Sequence, residues 1–259
     1  LSVRNGKIVN WRGIGSRGLD LWGKGVRISG IQASTNYIGI LANELSVMDQ
    51  CEAHFNVSDG IIARGTLAGC AATHNGDAGI RAYVGSTLRD CSSSQNGGEG
   101  FNVGAGSTLA GCSAFKNALQ GIGTYEGCTL SGCTASYNTN WGISAGSGSV
   151  VRDCAASYNS RVGISIASQC LVENCQASNN GENSPSDGAG IGTYGKQNRI
   201  EGNNVVSNNF GIDVNSASNL IVRNSASANR TNFAVVSGNH LGTVQATPVG
   251  AGAWDNFGF

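Results

Sequence analysis

Short apolar clusters return along this chain at a fixed interval. Thr87-Leu-Arg-Asp-Cys91, Thr108-Leu-Ala-Gly-Cys112, Thr129-Leu-Ser-Gly-Cys133 and Val150-Val-Arg-Asp-Cys154 recur every 21 residues. The register extends to Cys70 and Cys175, then to Asn203 after a seven-residue insertion, and on to Asn224. Upstream it reaches Cys51, Ile31 and Asn10 with one or two residues of slippage. Five positions after each anchor stands an asparagine: Asn36, Asn56, Asn75, Asn96, Asn117, Asn138, Asn159, Asn180, Asn208 and Asn229. Glycine followed by an apolar residue comes next, as at Gly100-Phe101, Gly121-Ile122 and Gly142-Ile143.

A repeat this short cannot bury its own apolar side, so it must stack on its neighbours, placing like residue over like at about 4.8 Å. Stacking makes an aliphatic column of Leu88, Leu109, Leu130, Val151, Val172, Ile200 and Ile221. Ala72, Ala114, Ala135, Ala156, Ala177 and Ala226 form a small-residue column beside the cysteines. The asparagines are expected to form a hydrogen-bonded ladder while tolerating the αL turn geometry. The glycines are expected to let the backbone turn tightly into the next strand. The predicted fold is all-β, a solenoid of about eleven coils over residues 1–239, with a turn loop inserted at 181–188 and a tail at 240–259 acting as an apolar cap. Twenty-one is not a multiple of five or six, which disfavours pentapeptide and left-handed hexapeptide helices. About one leucine per repeat disfavours a leucine-rich repeat.

The columns and the asparagine ladder resemble those of the pectate-lyase-like superfamily. More closely, the chain is similar to bacterial right-handed parallel β-helix repeat proteins, through Val3-Arg-Asn-Gly-Lys7, Trp11-Arg-Gly-Ile-Gly15, Gly18-Leu-Asp-Leu21 and the closing Trp254-Asp-Asn-Phe257. The resemblance implies a right-handed parallel β-helix and an extracellular or cell-surface setting. It implies no particular reaction, because that superfamily holds lyases, hydrolases, epimerases, phage spikes and proteins without a known reaction.

Charge then narrows the functional classes. Charged residues are 12% of the chain, about half the usual share, and the net charge is zero, so the basic footprint of a nucleic-acid binder is missing. No run approaches the ~20 apolar residues of a membrane helix. The chain opens at Leu1 on strand-like sequence, which reads as a mature product or a trimmed chain without its targeting segment.

Nine cysteines raise disulfides and metals. Seven of them share one column, with Cβ atoms expected about 4.8 Å apart against the ~3.8 Å a disulfide prefers. A straight line of thiols also lacks the tetrahedral convergence of a zinc site. Stacked, buried free thiols are the expectation, with no metal and no cofactor. Cys128 and Cys170 share another column two coils apart, with Ser149 between them.

Two surface patterns are candidates for chemistry. Arg152, Glu173 and Glu201 occupy one column, with Arg223 one position along from it. Carboxylates and arginines so grouped resemble polysaccharide lyases, in which carboxylates or a bound calcium ion neutralise a uronate while a basic residue takes the adjacent proton. The same pattern fits an ordinary ion-pair ladder. Tyr83, Tyr125 and Tyr194 share a second column, Tyr137 and Tyr158 sit on adjacent coils, and Trp141 precedes Gly142. Such aromatic faces can stack on sugar rings or merely pack sideways. The inserted loop adds Glu182 and Asp187 as candidate substrate contacts. Closely spaced aspartates with a downstream Arg-x-Lys, an Asp-Pro-His motif and a Ser-His-Asp constellation are all missing. The expected function is a non-catalytic scaffold whose flat faces bind a polysaccharide or another protein. A lyase acting on an acidic polysaccharide is the alternative, and a self-assembling structural protein is a third. Exposed strand edges at the N-terminal end are expected either to be covered by an upstream region or to dock on another molecule, end to end.

Overall fold

The computed structural model describes residues 1–181 and 188–259. Among the described residues every regular element is a strand, and the 32 strands join in one hydrogen-bonded system. Each strand pairs in parallel with its counterpart one coil along. The aliphatic column is continuous through the registers Leu88↔Leu109, Leu109↔Leu130, Leu130↔Val151, Val151↔Val172, Val172↔Ile200 and Ile200↔Ile221. The protein is a parallel β-solenoid of about eleven turns.

A regular coil holds three short strands, as in Ile80–Ala82, Thr87–Arg89 and Ser92–Ser94. Alternation of side chains across a strand decides what each buries. The first strand turns its two end residues inward, Ile80 and Ala82, and shows Arg81 to solvent. The other two bury only their middle residues, Leu88 and Ser93. The core is therefore a narrow stack of small and aliphatic side chains, its largest member being Phe101.

All three turns carry a ladder. In the first, Asn117 is typical. Its Oδ1 accepts from the Asn96 backbone N–H and amide, and its Nδ2 donates to Asn138 Oδ1 at 3.0 Å and to the Ser93 carbonyl at 3.1 Å. Every polar valence of a buried amide is thereby satisfied, which avoids the ~1–3 kcal/mol cost of an orphaned group. The second ladder is the cysteine column, which becomes asparagine where Cys175 N–H donates to Asn203 Oδ1 and continues through Asn224 to Asn256. A third runs through Ser86, Ser107, Cys128, Ser149, Cys170, Asn198, Asn219 and Asn239; its serine and asparagine rungs accept from the backbone N–H one coil back, as Ser107 Oγ does from Ser86 at 3.0 Å. All nine cysteines are buried and free.

Two expectations about the first turn are corrected. The αL conformation belongs to the residue before each ladder asparagine, not to the asparagine: Phe55, His74, Lys116, Tyr137 and Tyr158 have φ between 53° and 57°. The glycines that precede the first strand are needed for space rather than for turning. A Cβ at Gly121 would lie 2.5 Å from Asn138 Nδ2 and 2.8 Å from the Gly142 carbonyl oxygen, yet its φ is not positive. The ladder amide of the next coil occupies the room a side chain would fill.

The seven-residue insertion leaves the stack undisturbed. Gly181 and Gly188 abut closely, with a Cβ on Gly181 falling 2.2 Å from Gly188 Cα. Phe210 N–H and the Asn209 amide bind the carbonyls of Gly188 and Gly181. The tail re-enters the stack. His240–Leu241 pairs with Leu220–Val222, and Asn256–Gly258 pairs with Ser225–Ser227. Asn256 is fully buried as the last rung of the second ladder.

Candidate functional site

The first, second and third strands of successive coils stack into three sheets, and the charged column lies on the second. Arg152, Glu173 and Glu201 are register partners on three successive coils. Each carboxylate is engaged by an arginine. Arg152 Nε lies 2.9 Å from Glu173 Oε2, Arg199 Nε donates to Glu201 Oε2, and Arg223 Nη1 donates to Glu201 Oε1 at 2.9 Å. The Arg199 hydrogen bond, helped by the charge of both arginines, holds the Glu201 carboxyl below the usual carboxylate range. Arg223 is also covered by the tail: its Nε donates to the Ala253 carbonyl, and Trp254 lies over its guanidinium at 4.3 Å. The geometry is that of an ion-pair ladder that also fastens the tail. Among the described residues no three Asp, Glu, His or Cys side chains converge as metal ligands.

The tyrosine column stands at the turn between the first and second sheets. Tyr83 and Tyr125 are two coils apart, about 9.6 Å at the strand spacing, with Gly104 between them. A Cβ at Gly104 would fall 2.5 Å from the Val84 backbone nitrogen, so the glycine keeps the gap open. The result is a cleft of about 430 Å³ walled by Tyr83 and Tyr125, floored by Gly104 and edged by Arg81, Asn102 and Glu126. Tyr125 also walls a smaller cleft of about 130 Å³ reaching Glu99 and Gln120. On the other side, Tyr83 borders a third cleft, of about 540 Å³, with Trp22 and Arg64. Tyr194 continues the column three coils beyond Tyr125 and is 75% exposed.

The remaining candidates lie elsewhere. Trp141 is half-buried one coil beyond Gln120, with the Arg161 guanidinium 5.7 Å from its ring. Glu182 and Asp187 fall outside the described residues. Tyr137 and Tyr158 occupy the turn between the third and first sheets, away from the Tyr83 column.

One cluster is absent from the sequence reading. Arg81 projects from the first sheet in a column whose next four members are Asn102, Gly123, Ser144 and Ser165. Its Nη2 lies 2.9 Å from Asp59 and 3.3 Å from Asp77. Burial pushes the Asp59 carboxyl up, and the Arg81 charge and hydrogen bond oppose that rise. The available signal was an arginine followed in its column by four uncharged side chains, with an aspartate one coil back before a glycine. Without the register, residues 22 positions apart do not announce a pair.

A family model described as a right handed beta helix region matches residues 104–245. Among solved structures, the A-module of the mannuronan C-5 epimerase AlgE4 of Azotobacter vinelandii is similar, with 14% identity over 85% of this chain and 77% of that one and a TM-score of 0.58. The AlgE6 A-module of the same organism has 13% identity over 99% of this chain and 88% of that one, also with a TM-score of 0.58. At such identities the likeness is one of fold. No curated protein matches the sequence. With its parallel register, stacked ladders and family match, the chain belongs to the right-handed β-helix family.

Proposed function

We propose that this β-helix is a non-catalytic polysaccharide-binding scaffold, displayed outside the cell or on its surface, that holds a glycan against the Tyr83 turn. The cleft between Tyr83 and Tyr125 carries this reading. Two exposed aromatic side chains, kept apart by an obligatory glycine, offer flat apolar walls to the C–H faces of sugar rings. Arg81, Asn102 and Glu126 at its edge supply hydrogen-bonding groups for hydroxyls. That two proteins of the same fold are named for epimerising mannuronan is consistent with a glycan ligand. The non-catalytic half of the reading rests on the paired state of Glu173 and Glu201, whose carboxylates already face arginines.

The test is co-sedimentation with a panel of acidic and neutral polysaccharides, with and without calcium, while ultraviolet absorbance is followed for unsaturated products. Binding without new absorbance is expected. Tyr83→Ala and Tyr125→Ala should each weaken it by roughly tenfold, the ~1.4 kcal/mol of one lost stacking contact. A reducing-end assay excludes hydrolysis. New absorbance abolished by Glu173→Ala or Glu201→Ala would replace this reading with a lyase.

A further inference from the structure

A second corner of the solenoid, between the third and first sheets, carries a different aromatic feature. The αL residues that precede the ladder asparagines throw their side chains outward, and from Lys116 onward that column reads Lys116, Tyr137, Tyr158, Asn179, Ser207, Ala228. The rings of Tyr137 and Tyr158 are parallel to within 6° with centroids 4.8 Å apart, and Phe115 meets Tyr137 edge-on at 5.7 Å. Nearly half of each tyrosine is solvent-exposed. Beyond Tyr158 the side chains shrink, and a cleft of about 460 Å³ opens against it, lined by Asn179, Ser207 and Asn209.

Tyr137 covers one side of Tyr158, and the cleft lies on the other. Among the described residues no charged side chain lines this cleft. The Asn179 amide and the Ser207 hydroxyl make no hydrogen bond to any described residue, whereas the Asn209 amide is held by the Gly181 carbonyl. An aromatic wall beside uncommitted amide and hydroxyl groups is what an uncharged sugar ring requires. The C–H face packs on the phenol, and the hydroxyls exchange hydrogen bonds with groups that both donate and accept. The described lining residues hold no cation to neutralise a uronate carboxylate, whose desolvation they would leave unrepaid. The volume lies within the usual range of small-ligand sites, roughly 300–1,000 Å³.

We propose that the Tyr158–Asn179 cleft is a second glycan site, selective for neutral hexopyranose oligosaccharides and independent of the Tyr83–Tyr125 cleft. The two sites stand on different corners of the solenoid, so one scaffold engages two chains, or two stretches of one chain, along its length.

The experiment is calorimetric titration and ligand-detected NMR with neutral gluco-oligosaccharides of β-1,4 and α-1,4 linkage and a uronate oligosaccharide of equal length. The intact chain should bind at least one neutral oligosaccharide and prefer it to the uronate at this site. Tyr158→Ala should lower neutral affinity about tenfold. Ser207→Trp, which fills the cleft from an exposed position, should do the same, and both losses should persist in a Tyr125→Ala background, where the first cleft is disabled. Thermal melts of each variant separate lost binding from lost folding, and Ser207→Trp removes no packing if Tyr158→Ala proves unstable. Neutral binding that both Tyr158→Ala and Ser207→Trp leave undiminished in the Tyr125→Ala background would overturn the proposal, as would the absence of neutral binding from that background.

Discussion

Trp254, on the tail, lies 4.3 Å from the guanidinium of Arg223, which in turn binds Glu201 at 2.9 Å and the Ala253 carbonyl at 2.8 Å. One arginine thus joins the last coils to the segment that closes the stack. Phe257 N–H reaches the Asn224 carbonyl at 2.7 Å just beyond this latch, so the latch and the last ladder rung hold the same segment.

Trp254→Ala removes the cation–π contact, about 1 kcal/mol at a half-exposed site. Amide exchange at Phe257 and Phe259 should accelerate about fivefold, while the amides around Leu130 keep their protection. Equal acceleration around Leu130 would mean that the tail supports the whole solenoid rather than its last coil.

Acid should open the same latch. The folded-state pKa of Glu201 is depressed, so its contribution is complete above the unfolded carboxyl value of ~4.3 and is lost as pH falls through the lower folded value. Protection of the Phe257 amide, relative to its intrinsic exchange rate at each pH, should therefore fall below pH ~4. Glu201→Gln should show faster exchange already at neutral pH and a flatter dependence on acid. An acid response identical to that of the unaltered chain would assign the effect to another carboxyl.

Two neighbouring glycines should respond in opposite senses to alanine. At Gly121 the added methyl meets the Asn138 amide and the Gly142 carbonyl, so Gly121→Ala should cost about 3 kcal/mol through overpacking and lost ladder bonds. At Gly123 the nearest atom is 3.7 Å away and φ is not positive, so Gly123→Ala should be neutral or stabilise by about 0.5 kcal/mol. Urea melts of the two variants decide the matter.

The thiols should be inert until the fold opens. All nine are buried and free, and burial pushes those of Cys128 and Cys170 up. A thiol reagent should find close to none in the native protein and nine in denaturant, without prior reduction. Fewer than nine in denaturant would reveal a disulfide.

Much of the architecture is legible in the chain because a solenoid makes long-range contacts at a constant sequence separation. Leu88, Leu109 and Leu130 are neighbours in space because they are 21 residues apart, so a one-dimensional period reports a three-dimensional column. The first ladder is equally plain, since each rung is the same residue. The third ladder is hidden because serine, cysteine and asparagine all offer a small polar atom at the same place, as Ser107, Cys128 and Asn198 do. Identity fails there although chemistry is conserved from coil to coil.

Periodicity also gave Arg152 and Glu173 as neighbours, and the tyrosines of the Tyr83 column as aligned. It could not show that Gly104 must stay bare between Tyr83 and Tyr125, because that depends on how near the Val84 backbone comes. Nor could it join Trp254 to Arg223, or Arg81 to Asp59, contacts that depend on where a non-repeating tail returns and on which rotamers a crowded face permits. Repetition in the residues is enough to set the register of the coils, since any slip would expose a whole apolar column at once. The clefts and the latch arise where the repeat is broken, and there the energy is shared among side chains that meet only after the coils have stacked.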